Sequence, residues 1–193
     1  MGQVKAFVIS QAAWVESKVS ELPPGVGLSH KPNRFNLAYI NEDWSLDYLP
    51  NLASSSSIKL TVNADYRLEC SGETDDTTLL HNALGGWLKS KAEVVIPERL
   101  ALLAQQHGFH FNNVSIRGQK TRWGSCSSKK NINLNYKLLF LKPKVADYVL
   151  IHELCHTIEM NHSKQFWDLV ADCDPLYRSH DKQLNVLSKT LPF

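Results

Sequence analysis

The side chains with the most chemistry in this chain lie between Asp147 and Trp167. His152-Glu153-Leu154-Cys155-His156 is an H-E-x-x-H pattern, and His162 follows six residues later. On a helix, residues four apart lie about 40° apart in projection and one turn apart along the axis. Both imidazoles can therefore reach one ion from the same face. His162 can join them only if the helix ends soon after His156. Neutral imidazole is a good Zn²⁺ ligand, and three protein ligands leave a fourth position for water, as in catalytic zinc sites. Glu153, beside the first histidine, is placed to act on that water as general base. The expected cofactor is Zn²⁺, with His152, His156 and His162 as ligands and Glu153 as the catalytic residue.

The plainer reading of H-E-x-x-H is a helix with two solvated or core histidines. Three features weigh against it: the apolar helix that carries the pattern, the third histidine at short range, and Asn161. Asparagine tolerates the left-handed conformation that ends a helix. The 152–156–162 spacing equals the H-E-x-x-H-x-x-G-x-x-H of metzincins, but Glu159 stands at the glycine position. The chain must then reverse by another route. Glu159 is itself an alternative ligand, although in a continuing helix it would sit about 60° off the ligand face.

A second group lies upstream. Arg117, Lys120, Arg122, Lys129 and Lys130 fall within 117–130 with no acid among them. One reading is an anion-binding loop for a phosphate or a substrate carboxylate. The other is a solvated loop around a structural Trp123. The residues singled out for substrate or anion binding are Arg117, Lys120, Arg122, Trp123 and Tyr177. A developing oxyanion needs a donor, and Tyr177, Arg178, His180 and Arg122 are the candidates. Cys126 has basic neighbours that favour a thiolate, but no partner base, so it reads as structural. Cys155 lies about 60° from His152, away from His156, and reads as core. Trp87 and Trp167 read as core; His81, His107 and His110 read as surface or capping residues.

The elements that must position these groups follow from periodicity. Val4–Ile9 reads as a strand, and Ser10 caps a helix to about Leu22. Short β-like runs follow at 35–40, 44–49, 57–63 and 66–70, read as an antiparallel meander with turns at 41–43 and 63–65. Residues 78–107 are helical, with Thr74 or Asp75 as cap and Gly108 as stop. Gly85, Gly86 and Pro97 imply either one kinked helix or two meeting near Pro97. Asn113–Arg117 reads as a strand, 118–130 as a polar loop, and 131–138 as a half-buried strand. Pro143 opens a helix that is apolar nearly all round, and therefore central. Ser163 caps a helix to Cys173, and a last helix runs from about Tyr177 to Lys189.

The totals set bounds. A chain of 193 residues can bury a real core. A net charge of +2 argues against nucleic acid or a membrane surface as the principal partner. No apolar run approaches the ~20 residues of a membrane span, and the N-terminus lacks the features of a secretory leader. The four cysteines, at 70, 126, 155 and 173, form no C-x-x-C pair, so free thiols in a reducing cytoplasm are expected.

Four blocks together resemble the YgjP-like metal-dependent hydrolases: TRWGSCSS (121–128), the N-x-N strand at 133–136, YVLIHELCH (148–156) and NHSKQFW (161–167). The likeness runs from about 78 to 185 and extends distantly to the SprT proteases, which act on DNA-crosslinked proteins. It implies an α+β, zincin-like fold: a small antiparallel or mixed sheet packed on a central H-E-x-x-H helix. His162 is then the third ligand, and Arg122 and Trp123 shape the site. With this goes a division into an N-terminal extension with a β-meander (1–73) and a metallohydrolase domain (74–193). Relatives are grouped with metallopeptidases, while the YgjP namesake is associated with hydrolysis of UTP to UMP and pyrophosphate. Three functions are therefore in play. One is a zinc peptidase that pairs an extended peptide with an edge strand at Asn131. The second is a nucleotide pyrophosphatase that uses the basic loop. The third is a protease-like protein that binds nucleic acid through that loop.

Overall fold

The computed structural model describes residues 31–50 and 56–187. The expected strand at 4–9, the helix at 10–22 and the last two residues of the final helix lie outside that range. The elements in chain order are β1 (Arg34–Leu37), β2 (Glu42–Tyr48), β3 (Ile58–Asn63), β4 (Arg67–Gly72), α1 (Thr77–His107), β5 (Asn113–Arg117), β6 (Gly124–Cys126), β7 (Asn131–Asn135), α2 (Pro143–Cys155), α3 (Lys164–Cys173) and α4 (Tyr177–Leu187). A 3-10 turn, Tyr136–Phe140, joins β7 to α2. The fold is α+β, with two small mixed sheets. Among the described residues no helix is long and apolar enough to cross a membrane.

The first sheet corrects the expected meander. Its order is β1-β2-β4-β3, and β2 runs parallel to β4, pairing Ser45 with Arg67 and Tyr48 with Cys70. Burial explains the order. Leu68 and Cys70 of β4 are fully buried, whereas every residue of β3 is half-buried or exposed. The apolar strand takes the centre and the polar one the edge.

Helix α1 is one helix of 31 residues, uninterrupted at Pro97. Its cap is Asp76, one residue beyond the expected pair; the carboxylate accepts from the N–H of Thr78 and Leu79 at 2.9 and 3.0 Å. Leu80, Leu84, Leu88, Ala92, Ile96, Leu100 and Ala104 are buried at steps of four. Each such step turns about 40°, so the buried line winds around the helix. One helix can therefore serve two neighbours. Trp87 packs edge-on against Trp44 of the first sheet at 4.7 Å. Two residues past Pro97, Arg99 makes a bidentate pair with Asp147 of α2, at 2.9 and 2.8 Å. Glu93, whose carbonyl loses its donor to Pro97, is exposed, so water can serve it.

The second sheet has the order β5-β7-β6, with β5 parallel and β6 antiparallel to β7. Strand β7 is central rather than an edge, which removes it as the strand for an extended peptide. It also stops at Asn135, short of the expected 138. That side chain is buried and used locally. Its Nδ2 donates to the carbonyls of Gln119 and Arg122 at 2.7 and 2.9 Å, and its Oδ1 accepts from Lys137 N–H at 3.1 Å. An asparagine that caps a turn and ties down a loop ends the ladder. Part of the loop, Gly124–Cys126, is the short strand β6.

Candidate metal centre

Helix α2 begins with Pro143 at its first turn and is buried at ten of its thirteen positions. It ends at Cys155. His156 stays right-handed (φ −64°, ψ −14°), and the chain leaves through tightened bonds. Thr157 N–H donates to Leu154 O at 2.9 Å, Ile158 N–H to Cys155 O at 3.0 Å, and the Thr157 hydroxyl to Leu154 O at 2.7 Å. Among the described residues, the non-glycine ones at positive φ are Asn41, Asp65, Tyr66 and Lys130, so Asn161 is not left-handed as expected. The turn needs no left-handed residue, and hence no glycine at 159.

His162 is set by the start of α3. The Ser163 hydroxyl caps that helix by accepting from Phe166 N–H at 3.3 Å. His162 precedes the cap and Trp167 is the fourth helical residue, the two positions of a helix-entry staple. Their rings stack at 5.6 Å and 25°. Phe166, fully buried, stacks on His156 at 4.4 Å and meets His152 edge-on at 4.9 Å.

The three imidazoles converge. His152 Nε2 lies 3.2 Å from His156 Nε2 and 3.1 Å from His162 Nε2. Ligand nitrogens placed tetrahedrally about 2.0–2.1 Å from zinc are roughly 3.3–3.4 Å apart, so the spacing fits one shared ion. His156 Nδ1 donates to Glu159 O at 3.1 Å, which leaves its Nε2 lone pair free. Glu159 thus contributes a carbonyl; its carboxylate accepts from Asn161 N–H at 3.4 Å. Among the described residues, the group able to hold a metal comprises the three histidines, without Glu159. Burial, then the neighbouring His156 and His162, pushes the His152 pKa down to about 3. Burial likewise lowers that of His156. Both rings are therefore neutral near pH 7, the form that ligates.

Glu153 is 5% exposed, and burial pushes its pKa up to about 8. Its Oε2 is buried without a hydrogen-bond partner among the described residues. Strand β6 covers it: a Cβ on Gly124 would sit 2.6 Å from both Cγ and Oε1 of Glu153. This contact was missed in the sequence. Its one signal is a glycine inside a polar run, which marks close backbone approach.

The other candidates separate. Arg117 lies on β5, the sheet edge opposite β6; its Nε donates to Asn133 Oδ1 at 3.4 Å, and it lines a hollow with Lys89 and Pro97. Lys120 and Arg122 sit in the loop tied by Asn135, and among the described residues neither bonds to the histidines. Trp123 is half-buried, and its carbonyl accepts from Asn135 N–H at 2.8 Å. Tyr177 stacks on Trp167 at 5.5 Å and 20°, one ring removed from His162. Trp167 is therefore no core residue but a half-buried wall beside His162. His180 is buried, with Nδ1 2.7 Å from Asp174 Oδ2, which makes it a clasp between α3 and α4 rather than an oxyanion donor. The Cys126 thiol is pushed up to about 11, chiefly by burial and then by Glu153, so it is no thiolate at neutral pH. Cys155 is fully buried and hydrogen-bonds with Cys173.

With the convergence of three imidazoles established, the family match is decisive: the model of the YgjP-like metallopeptidase domain spans residues 1–187. The chain belongs to the YgjP-like family. No curated protein matches it. Among solved structures, the crystal structure of the metallopeptidase zymogen of Pyrococcus abyssi abylysin is 26% identical, covering 47% of this chain and 91% of that one, with a TM-score of 0.43. As a YgjP-like metallopeptidase domain, the chain carries a histidine triad that could hold a divalent metal. Such an ion lowers the pKa of water toward ~7 and polarises a carbonyl.

Proposed function

We propose that this chain is a zinc-dependent peptide hydrolase, with His152, His156 and His162 as ligands and Glu153 as general base. The observation that carries the reading is the approach of the His156 and His162 Nε2 atoms to 3.2 and 3.1 Å from His152 Nε2, beside a buried carboxylate with an oxygen unpartnered among the described residues. In this reading Glu153 accepts a proton from the attacking water and delivers it to the leaving amine. Its burial keeps it responsive near neutral pH. The covering backbone at Gly124 limits where its carboxylate can go. With β7 central, the strand offered to an extended peptide becomes β6, an edge strand over Glu153.

The nucleotide pyrophosphatase reading rests on the loop with Lys120 and Arg122, which borders β6; Arg117 no longer supports it. The nucleic-acid reading gains nothing from the structure. We also read the protein as cytoplasmic, since all four cysteines are free. The division at residues 73 and 74 remains our proposal; it falls just before the α1 cap at Asp76.

The test is zinc content after purification without chelator, followed by turnover of an unstructured protein and of UTP. Expected are about one equivalent of zinc, lost in His152→Ala/His156→Ala, and peptide hydrolysis abolished by Glu153→Gln. Pyrophosphate release that depends on Glu153, with no peptide cleaved, would replace the peptidase with the nucleotide enzyme.

A further inference from the structure

Beyond the triad, the rings continue outward in one column. His162 stacks on Trp167, Trp167 on Tyr177, and the Arg178 guanidinium lies 5.7 Å from the Tyr177 ring centre with Nε donating to the phenol at 3.0 Å. This column walls a groove of about 800 Å³ between α3 and α4. The groove also holds Lys164, Asp168, Asp181 and Lys182.

Its carboxylates are already engaged. Asp168 accepts from Lys164 at 2.6 Å. Asp181 accepts from the Tyr148 hydroxyl at 3.1 Å and from Asn185 at 3.2 Å. The cations Arg178 and Lys182 lie on α4, the same helix as Asp181. Arg178 donates to the Tyr177 hydroxyl, and neither Arg178 nor Lys182 makes an ion pair among the described residues. Arg178 and Lys182 are four apart on α4, so two like charges share one helix face, an arrangement that destabilises the helix. Asp181, three residues past Arg178 and next to Lys182, offsets part of that repulsion, and a bound anion would offset the rest.

We propose that this groove is a substrate subsite that takes an acidic residue of the peptide, selected by Arg178 and Lys182. The inference rests on the peptidase reading above. Two ring spacings of 5.6 and 5.5 Å separate His162 from Tyr177. At about 3.3 Å per residue of extended chain, the acidic residue stands about three to five positions from the scissile bond.

The test uses the full chain, zinc-loaded and carrying Glu153→Gln, with fluorescent peptides in which one Glu, Gln or Lys is walked along a neutral sequence. Anisotropy should show the best Glu peptide binding about tenfold tighter than its Lys counterpart. Arg178→Glu/Lys182→Glu should invert the order, while circular dichroism reports an unchanged fold. Equal affinities at every position, or a preference that survives the double reversal, would overturn the proposal. So would a single-stranded oligonucleotide that binds tighter than any peptide and is lost on reversal. Cleavage by the wild-type chain is scored separately: the binding preference without cleavage counts against the hydrolase reading alone.

Discussion

Gly124 and Glu153 touch as backbone on carboxylate. A methyl group at 124 would lie 2.6 Å from Cγ and Oε1 of Glu153. Strand β6 is thereby the lid over the residue that follows the first ligand, and its position is inherited from the ladder with β7, Gly124 opposite Leu134.

Gly124→Ala is accordingly expected to push the Glu153 side chain aside while leaving the three imidazoles in place. Peptide turnover should fall by about 10²-fold with zinc content unchanged, at a stability cost of about 1–3 kcal/mol. Kinetics, metal analysis and urea denaturation on one preparation separate these effects. Turnover within twofold of wild type would show that the Glu153 position is uncritical.

Trp167→Ala removes the ring that stacks on His162 without touching a ligand atom. Zinc affinity should drop about 10- to 100-fold, as for other groups that orient a ligand from behind. Competition with a chromophoric chelator measures this directly, whatever the substrate. Trp167→Phe should recover most of the loss.

Asn135→Ala abolishes two bonds to loop carbonyls and one to Lys137 N–H. About 2–3 kcal/mol of stability should be lost, because the carbonyls of Gln119 and Arg122 lose their donor. The melting temperature should fall by about 5–10 °C. Hydrogen exchange should rise first at 118–124.

The thiols give a pH signature. Burial, the largest cause for each, raises Cys70 and Cys126 from the ordinary value near 9 to about 11. A raised thiol pKa means that folding favours the protonated form. Its stabilisation is complete below pH 9 and is lost as pH rises from 9 to 11. The urea midpoint should hold to pH 9 and then decline. Alkylation of Cys126 in the native protein should be slow at pH 8 and quicken about tenfold per pH unit toward 11. Rapid labelling at pH 7.5 would contradict its burial.

Much of the positioning was legible in the linear chain because it is local. Two histidines four apart share a helix face by geometry alone. Ser163 as a cap follows from residue type, and the His162–Trp167 staple was readable from the same spacing, although Trp167 passed for core. Pro97 left one helix or two open, because propensity alone cannot choose; the winding row of buried apolar residues keeps α1 continuous through it. Asn161 misled because a tightened turn ends α2 without left-handed backbone.

The sequence by itself determined the three imidazoles, the carboxylate beside them and the apolar helix that carries them, since all depend on contacts within about one or two helical turns. Only the tertiary structure decided what surrounds them. It set β4 between β2 and β3, made β7 central, laid Gly124 on Glu153, moved Arg117 to the far edge and stacked Tyr177 on Trp167. These are pairings between segments tens of residues apart, chosen by which surfaces bury best together, and no local spacing encodes them.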